Sequence, residues 1–240
     1  MRANPASRAR TGNIAARLGV SPFAFIRAFK CETGLSPQRF QSAIRIERAK
    51  QLLLKDDRPV TEISLDVGYD SLGSFIQTFT ALTGISPGQL RRLARSAPPD
   101  ELFTPTADSY ARPAPAEMTI SACVSDALES EFLVAGLFER TFPAGIPLDG
   151  CFIRPDSTSF HLQYFSAGRR ASLLVAAFRP LTWLDAWSGH YEALRVCRID
   201  LRLDRREIPT VRLRPVMATD PPLLTPLPLL QILRWTGPQN

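Results

Sequence analysis

The chain has 240 residues, of which 45% are hydrophobic and 22% are charged, and this composition is typical of a soluble globular protein. Its apolar runs are short and no apolar stretch follows the basic N-terminus, which argues against a transmembrane helix and a signal peptide. The four cysteines are widely scattered, so we expect the reduced thiols of a cytoplasmic protein and neither a disulfide framework nor a zinc site.

Positive charge is concentrated in the N-terminal part of the chain. Residues 1–97 contain 15 Lys and Arg against 7 Asp and Glu, a net charge of +8, whereas residues 98–240 carry a net charge of −2. Such an asymmetry is expected when one domain meets a polyanion such as nucleic acid and the other does not. A basic domain that binds no polyanion is the alternative that charge alone leaves open.

A proline-rich segment separates the two parts. Residues 98–117 contain five prolines and little periodicity, which predicts a semi-extended linker and no continuous helix. The predicted organisation is therefore a domain at 1–97, a linker at 98–117 and a second domain at 118–240.

The first domain contains an internal repeat. Seven residues recur at an offset of fifty, namely Phe25, Ile26, Phe29, Thr33, Gly34, Ser36 and Pro37 as Phe75, Ile76, Phe79, Thr83, Gly84, Ser86 and Pro87. Seven identities within thirteen positions indicate a duplication, and two copies are too few for a solenoid.

Each copy is predicted to form a helix, a tight turn and a second helix. In the first copy the turn lies at Gly19, and Ser21 with Pro22 provides the preferred start of the second helix. The residues expected on the buried faces of this copy are Ile14, Ala15, Leu18, Phe25, Ala28 and Phe29.

The second copy repeats this pattern, with its turn at Gly68 and its N-cap at Ser71. The residues expected to be buried are Ile63, Leu65, Val67, Phe75 and Phe79. Those expected to face outward are Leu72, Gly73, Ser74, Ile76, Gln77 and Thr80. An amphipathic segment at about 38–54 joins the copies, so the domain is predicted to be all-α with two helix-turn-helix motifs.

These residues resemble a known family. The stretches IAARLGVSPFAFIRAFKCETGLSPQRF, IRIERAKQLLL and VTEISLDVGYDSLGSFIQTFTALTGISPGQLRR are similar to the DNA-binding domain of AraC/XylS-type bacterial transcription regulators, over residues 13–95. The resemblance implies two recognition helices, at about 22–30 and 71–80, that enter successive major grooves on one face of double-stranded promoter DNA. The residues expected to contact DNA are Ser21, Phe23, Ala24, Ile26, Arg27, Lys30, Ser71, Leu72, Gly73, Ser74, Gln77 and Arg91.

Side-chain chemistry suggests roles for several of them. Arg27 can bond the O6 and N7 atoms of guanine, and Gln77 can bond adenine, each in a bidentate manner. Lys30 is expected at a phosphate, and Phe23 is expected to be exposed towards the bases, with core packing as the alternative. The outward face of the second helix carries no positive charge, so it is expected to dock chiefly through its N-terminal amides and Arg91, Arg92 and Arg95.

Two further features of the first domain leave alternatives open. The basic residues of the joining segment are either phosphate contacts or a solvated face, and they are Arg39, Arg45, Arg48 and Lys50. The family usually has a helix before the first motif, whereas residues 1–13 contain Pro5, Gly12 and no apolar stripe. Either that helix is missing or the natural chain begins upstream of Met1.

The second domain is expected to be mostly β and sandwich-like. Six short apolar or alternating runs predict strands, namely TISACV, EFLVAGLFE, LDGCFIR, SFHLQYF, ASLLVAAF and RVCRIDLRL. One short helix is expected at Trp183–Trp187. The segment VAGLFERTFPAGIPLDGCFI resembles C-terminal extensions of some AraC-type regulators, a resemblance that implies no activity. A mixed α/β ligand-binding domain is the alternative, although the long helices that it needs are not evident.

No enzyme is predicted. The sequence contains no G-x-S-x-G elbow, no P-loop and no G-x-G-x-x-G before a helix, and its two histidines, His161 and His190, lie in or beside strand-like runs. We therefore expect no catalytic residue, no metal and no cofactor. Aromatic residues of the second domain are expected in its core, with an effector pocket as the alternative.

The predicted function is that of a cytoplasmic, sequence-specific DNA-binding transcription regulator. RNA polymerase and a second copy of the chain are further candidate partners, and no membrane is expected. The rival hypothesis is a protein-interaction or ligand-sensing protein whose second motif has lost base recognition.

Overall fold

Six helices make up the part of the N-terminal region that this computed structural model describes. They are α1 (Thr11–Arg17), α2 (Pro22–Thr33), α3 (Pro37–Lys55), α4 (Val60–Asp66), α5 (Leu72–Thr83) and α6 (Pro87–Arg95). The described residues of the chain are 11–98, 100–103, 118–125, 131–139, 142, 144–153, 159–164, 170–179, 181–202 and 209–232. Residues 99 and 104–117 of the predicted linker at 98–117 and most of the segment before the first motif lie outside them.

The helix boundaries follow from capping residues. Four helices begin after a serine whose hydroxyl oxygen accepts a hydrogen bond from the backbone N–H three residues later, and these serines are Ser21, Ser36, Ser71 and Ser86. Helices α2 and α5 end at Gly34 and Gly84, whose φ angles of 77° and 91° lie in the left-handed region that favours glycine. The pairs α1–α2 and α4–α5 are the two predicted helix-turn-helix motifs, and α3 joins them.

The rest of the chain is rich in strands. Its elements are β1 (Met118–Val124), β2 (Phe132–Phe138), β3 (Asp149–Ile153), β4 (Ser159–Tyr164), β5 (Arg170–Phe178), α7 (Trp183–Ser188), β6 (Arg195–Arg202), β7 (Thr210–Val211), β8 (Arg214–Pro215) and α8 (Leu227–Ile232). The six predicted strands and the predicted short helix are confirmed. Strands β7 and β8 and helix α8 were not predicted, because two-residue strands and a six-residue helix leave too little periodicity to detect.

The strands form two sheets that pack face to face. One sheet has the order β4-β1-β7 and the other β3-β2-β5-β6-β8, and all neighbours are antiparallel except β1 and β7. Alternating side chains of both sheets form one buried cluster, with Ile120 and Leu162 from the first sheet and Leu133, Leu173 and Val175 from the second. The predicted sandwich-like arrangement is therefore confirmed.

The five-stranded sheet is covered on its second face as well. Phe103, Phe178 and Ala186 belong to a buried cluster that includes residues of β2, β3 and β6 together with α7 and α8. Because both faces are covered, β2 and β5 are buried along almost their whole length. The backbone of residues 101–103 pairs with residues 181–183, so the start of the predicted linker lies on the C-terminal part.

A third buried cluster joins the two parts of the chain. Trp187, Leu224 and Leu229 pack with residues of the helical part that include Phe75 and Phe79. We call this cluster the shared core. Trp187 is only 1% exposed, so a residue of α7 completes the interior of the helical part.

Three residues predicted to be buried are exposed. Leu65 is 59% exposed because a helix places residue 65 off the face that Ile63 and Val67 share at a spacing of four. Ala28 is exposed and Leu18 is 62% exposed. None of the described helices has the length and apolar character that crossing a membrane requires.

Candidate nucleic-acid interface

The two motifs share a detailed geometry at the C-terminal end of their second helices. The Thr33 hydroxyl oxygen lies 2.8 Å from the Phe29 carbonyl oxygen and accepts a hydrogen bond of 3.2 Å from the Leu35 N–H. The Thr83 hydroxyl lies 2.9 Å from the Phe79 carbonyl oxygen and accepts a corresponding bond from Ile85. The repeated Thr-Gly-x-Ser-Pro sequence thus fixes how each second helix joins the helix that follows.

Two phenylalanine side chains pack against each other on the inner face of each second helix. The ring centroids of Phe25 and Phe29 are 5.7 Å apart, and those of Phe75 and Phe79 are 5.6 Å apart. Phe75 and Phe79 are fully buried, whereas Phe25 and Phe29 are half-buried, so the second motif is packed more tightly. Both helices consequently have a fixed inner face and an open outer face.

The outer face of α2 is apolar and basic. Phe23 is 74% exposed, as predicted, which excludes the alternative that it fills the core. Ile26 is 39% exposed and Ala24 is half-buried beside it. The side chains of Arg27 and Lys30 are exposed, and neither side chain forms a hydrogen bond or ion pair with a described residue.

The outer face of α5 is exposed but uncharged. The six residues predicted to face outward are all exposed, namely Leu72, Gly73, Ser74, Ile76, Gln77 and Thr80. A methyl group at residue 73 would meet no atom within 4 Å. The backbone at the start of α5 is therefore open to close approach by a partner.

Arg91 has a structural role that the sequence did not reveal. Its Nε donates to the Leu53 carbonyl oxygen at 3.1 Å, and its Nη2 donates to the Arg58 carbonyl oxygen at 2.8 Å. These bonds connect α6 to the end of α3 and to the loop before α4. A phosphate contact of Arg91 stays a prediction, and it would use the remaining guanidinium N–H groups.

The joining helix separates its basic residues into two groups. Arg39 and Arg48 are exposed, and the Arg45 guanidinium lies 5.7 Å from the centre of the Tyr69 ring. Lys50, in contrast, is fully buried, so the two roles considered for it, a phosphate contact and a solvated face, are both wrong. The helical period turns residue 50 towards the C-terminal part of the chain, which the sequence of the first part alone cannot show.

The surroundings of Lys50 explain how a buried ammonium group is tolerated. Its Nζ donates to the carbonyl oxygens of Leu224 at 3.0 Å and Leu223 at 3.3 Å. Burial lowers the pKa of Lys50 from 10.5 to about 8, and the charge of Glu47 offsets part of that effect. Lys50 thus belongs to the contact between the two parts of the chain.

The four cysteines form no disulfide bond with one another, and Cys31 is exposed on α2. Among the described ranges, no group of three or more His, Cys, Asp or Glu side chains is arranged to hold a metal ion.

Comparison with known proteins places the similarity in the helical part. The family described as "Helix-turn-helix domain" matches residues 14–93. An uncharacterized HTH-type transcriptional regulator of Bacillus subtilis, YobQ, is 39% identical over 59 residues, which cover 25% of this chain and 24% of that protein. The MmsAB operon regulatory protein of Pseudomonas aeruginosa is 33% identical over 95 residues, which cover 40% of this chain and 31% of that protein.

One of the solved structures that are similar to part of this chain was determined with DNA. The DNA-binding domain of AdpA, a global transcriptional factor determined in complex with a target DNA, is 26% identical with a TM-score of 0.40, covering 42% of this chain and 90% of that one. The chain spans only about a quarter to a third of the length of the curated relatives that it matches.

Proposed function

We propose, from the premise that residues 14–93 form an AraC-type helix-turn-helix domain, that this chain is a sequence-specific DNA-binding transcription regulator. The observation that carries the proposal is the exposed outer face of α2, where Arg27 and Lys30 stand beside Phe23 without a partner among the described residues. An exposed guanidinium, ammonium and apolar surface on one helix suit a major groove.

In this proposal α2 is the first recognition helix and reads base edges. Arg27 bonds a guanine, because a guanidinium matches the O6 and N7 acceptors of that base. Phe23, Ala24 and Ile26 contact thymine methyl groups, and Lys30 neutralises a phosphate. Ser21 caps the helix and keeps its N-terminal turn in place, with its Oγ 3.2 Å from the Ala24 nitrogen.

Helix α5 is the second recognition helix and contributes mainly to placement on the duplex. Its outer face offers Leu72, Ser74 and Gln77 but no cation. The N-terminal amides after Ser71 are suited to a phosphate, and Gly73 allows the backbone to come close to it. Gln77 is then the residue of this helix that is able to select a base.

Affinity in this proposal comes largely from phosphates. Arg39, Arg48 and Arg92 are exposed and supply positive charge around the two recognition helices. Binding should therefore weaken steeply as the salt concentration rises. The chain is proposed to act in the cytoplasm on promoter DNA, with RNA polymerase and a second copy of the chain as further partners and without enzymatic activity.

The experiment that tests the proposal is selection of bound genomic fragments by the purified full-length chain. It is repeated with Arg27→Ala, with Gln77→Ala and with the control Arg170→Ala, which removes an exposed arginine of β5. We expect a motif with two halves about one helical turn apart. On the selected site, Arg27→Ala should lower affinity by about 1–3 kcal/mol more than on random DNA.

Three other outcomes are informative. Equal losses on selected and random DNA would show that Arg27 contacts phosphate only. If the selected motif has a single half-site and Gln77→Ala leaves it unchanged, α5 contacts the DNA backbone without recognising bases. If no sequence is enriched, the proposal is wrong, and the rival role in protein interaction or ligand sensing takes its place.

A further inference from the structure

The strand-rich part contacts both helix-turn-helix motifs at the same point of the repeat. This point is the glycine that follows the second helix of each motif, Gly34 after α2 and Gly84 after α5. The two glycines are equivalent positions of the internal repeat. A contact at these helix ends leaves the exposed N-terminal turns of α2 and α5 open.

Side chains of the strand-rich part fill the space beside each glycine. A Cβ atom at Gly34 would lie 2.6 Å from Nη2 of Arg198 on β6. A Cβ atom at Gly84 would lie 2.8 Å from Cγ1 of Ile146 and 3.2 Å from Cδ2 of Leu229. Both helix ends are therefore in close contact with residues that follow the linker in sequence.

Helix α5 is also held through the backbone of the loop between β2 and β3. The Gly145 N–H in this loop donates a hydrogen bond of 2.8 Å to the Leu82 carbonyl oxygen. The Thr225 hydroxyl donates a hydrogen bond of 2.6 Å to the Gly145 carbonyl oxygen. The loop is thus bonded to α5 on one side and to the segment before α8 on the other.

Phe142, in the same loop, packs against the buried residues of both motifs. The first motif and the start of α3 share a buried cluster that consists of Leu35, Phe40 and Ile44, with Phe29 of α2 packed against it. The second motif packs into the shared core. The half-buried side chain of Phe142 contacts both of these clusters, so it links the two motifs.

A rigid link between two binding modules has a known consequence for affinity. It holds the second module at a high effective concentration, but only for sites at the matching distance. It also avoids the entropy cost of ordering the two modules when they bind. Helix α3 links the motifs along the chain, and the contacts at Gly34, Phe142 and Gly84 add a second link through the strand-rich part.

We propose that the strand-rich part is a rigid support that fixes the distance and angle between α2 and α5, and that Phe142 is the positioning residue through which the chain selects one spacing of its two DNA half-sites. The inference rests on the proposed function, in which each of these helices enters a major groove. Phe142 acts through the two helices and touches no DNA itself. Its removal should change the preferred spacing and leave recognition of each half-site unchanged.

Spacing preference is measured by fluorescence anisotropy on the selected DNA site and on a duplex with one base pair inserted between the halves. The insertion turns one half by about 35° relative to the other and moves it by about 3.4 Å. We expect it to lower the affinity of the unaltered full-length chain about thirtyfold, and that of Phe142→Ala no more than about threefold. Phe142→Leu keeps most of the apolar contact and should retain most of the loss.

Phe132→Ala is the matched control, because Phe132 is a half-buried phenylalanine of the strand-rich part that packs in a different buried cluster. It should show the same loss on insertion as the unaltered chain. On a duplex whose α5 half is scrambled, Phe142→Ala and the unaltered chain should bind alike, which a general loss of stability would not produce.

Two results would overturn the inference and leave DNA binding at the selected site standing. One is a loss on insertion in Phe142→Ala that equals the loss in the unaltered chain. The other is equal affinity of the unaltered chain for both duplexes.

A second measurement tests the rigid support without DNA. Nitroxide labels on Cys31 of α2 and on Thr80→Cys of α5 report the distance between the helices by pulsed electron paramagnetic resonance. Both positions are exposed in the full-length chain. Cys123→Ser and Cys197→Ala remove the other accessible thiols.

We expect a narrow distribution of distances between the labels, which Phe142→Ala broadens and Phe132→Ala leaves unchanged. Equal widths with and without Phe142→Ala would overturn the inference. This result does not depend on whether the chain binds DNA, so a failure here is distinct from a failure of the proposed function.

Discussion

The Nζ atom of Lys50 lies 3.0 Å from the carbonyl oxygen of Leu224, which joins the helix between the two motifs to the strand-rich part of the chain. The ammonium group is fully buried at this contact. Its surroundings include Gly189, where a Cβ atom would lie 2.9 Å from Nζ. The helical and strand-rich parts are therefore packed around a charged group and do not merely follow one another along the chain.

This buried lysine makes stability depend on pH. The folded chain holds Lys50 at a pKa of about 8, whereas the unfolded chain holds it near 10.5, so the unfolded state binds more protons between these values. The free energy of unfolding should therefore rise from about pH 8 to about pH 10, by on the order of 2 kcal/mol. Lys50→Met, which cannot titrate, should lack this rise.

Urea unfolding of both proteins at several pH values in this interval provides the measurement. Other titrating groups are the same in both proteins, so the difference between the two profiles isolates Lys50. Parallel profiles would mean that Lys50 is solvated and that the contact with Leu224 does not form.

Trp187 should couple the unfolding of the two parts. Its side chain is 1% exposed in the shared core, so Trp187→Ala should lower the free energy of unfolding by about 3–5 kcal/mol. Leu184→Ala on the same helix removes a side chain that is 41% exposed and should cost less than about 1 kcal/mol. Calorimetry should show one transition that shifts as a whole, and two transitions of which only one shifts would contradict a shared core.

Gly145 of the strand-rich part packs closely against the backbone of α5. The Gly145 N–H donates to the Leu82 carbonyl oxygen at 2.8 Å, and a Cβ atom there would lie 2.9 Å from the Ala81 carbonyl oxygen. Gly19 is a matched control, since its φ angle of 67° is close to the 77° of Gly145 but its surroundings are open.

Both substitutions by alanine carry the strain of a left-handed backbone, which costs roughly 1–2 kcal/mol. Gly145→Ala should lower the free energy of unfolding by at least about 1 kcal/mol more than Gly19→Ala, because a backbone carbonyl cannot move aside as a flexible side chain does. Equal losses in urea unfolding would show that residue 145 does not approach α5.

Substitution of Gly73 by alanine should change protein stability and DNA affinity in opposite directions. Alanine at this helical position meets no atom within 4 Å and should stabilise the free chain by about 0.5–1 kcal/mol. The same methyl group should weaken DNA binding if the start of α5 lies against a phosphate. Gly88→Ala on α6, where the space is also open, is the control in fluorescence anisotropy titrations, and equal DNA affinity of the two variants would place the start of α5 away from the duplex.

Much of the helical part could be predicted from the sequence because its signals are local. The Ser-Pro starts of α2, α3 and α6 and the glycines after α2 and α5 mark helix ends through capping chemistry. The six longer strands were predicted for the same reason, since alternating or continuous apolar runs between turn residues are visible within a few positions.

Contacts distant in sequence could not be predicted. Lys50 bonds residues about 170 positions away, and nothing near it in the sequence distinguishes it from the exposed Arg48. Trp187 was expected in the core of the second part, yet it packs with Phe75 and Phe79. The charge of Arg91 predicts a contact with DNA, whereas its bonds to the Leu53 and Arg58 carbonyl oxygens depend on chain segments more than thirty residues away.

The most direct test of the central claim is a hydroxyl-radical footprint of the full-length chain on its selected DNA site. Two helices in successive major grooves should protect two segments on one face of the duplex, about one helical turn apart. Gln77→Ala should weaken protection of the DNA segment that α5 contacts. Arg27→Ala should weaken protection of the DNA segment that α2 contacts. Protection of a single segment, or of none, would contradict DNA recognition by two motifs.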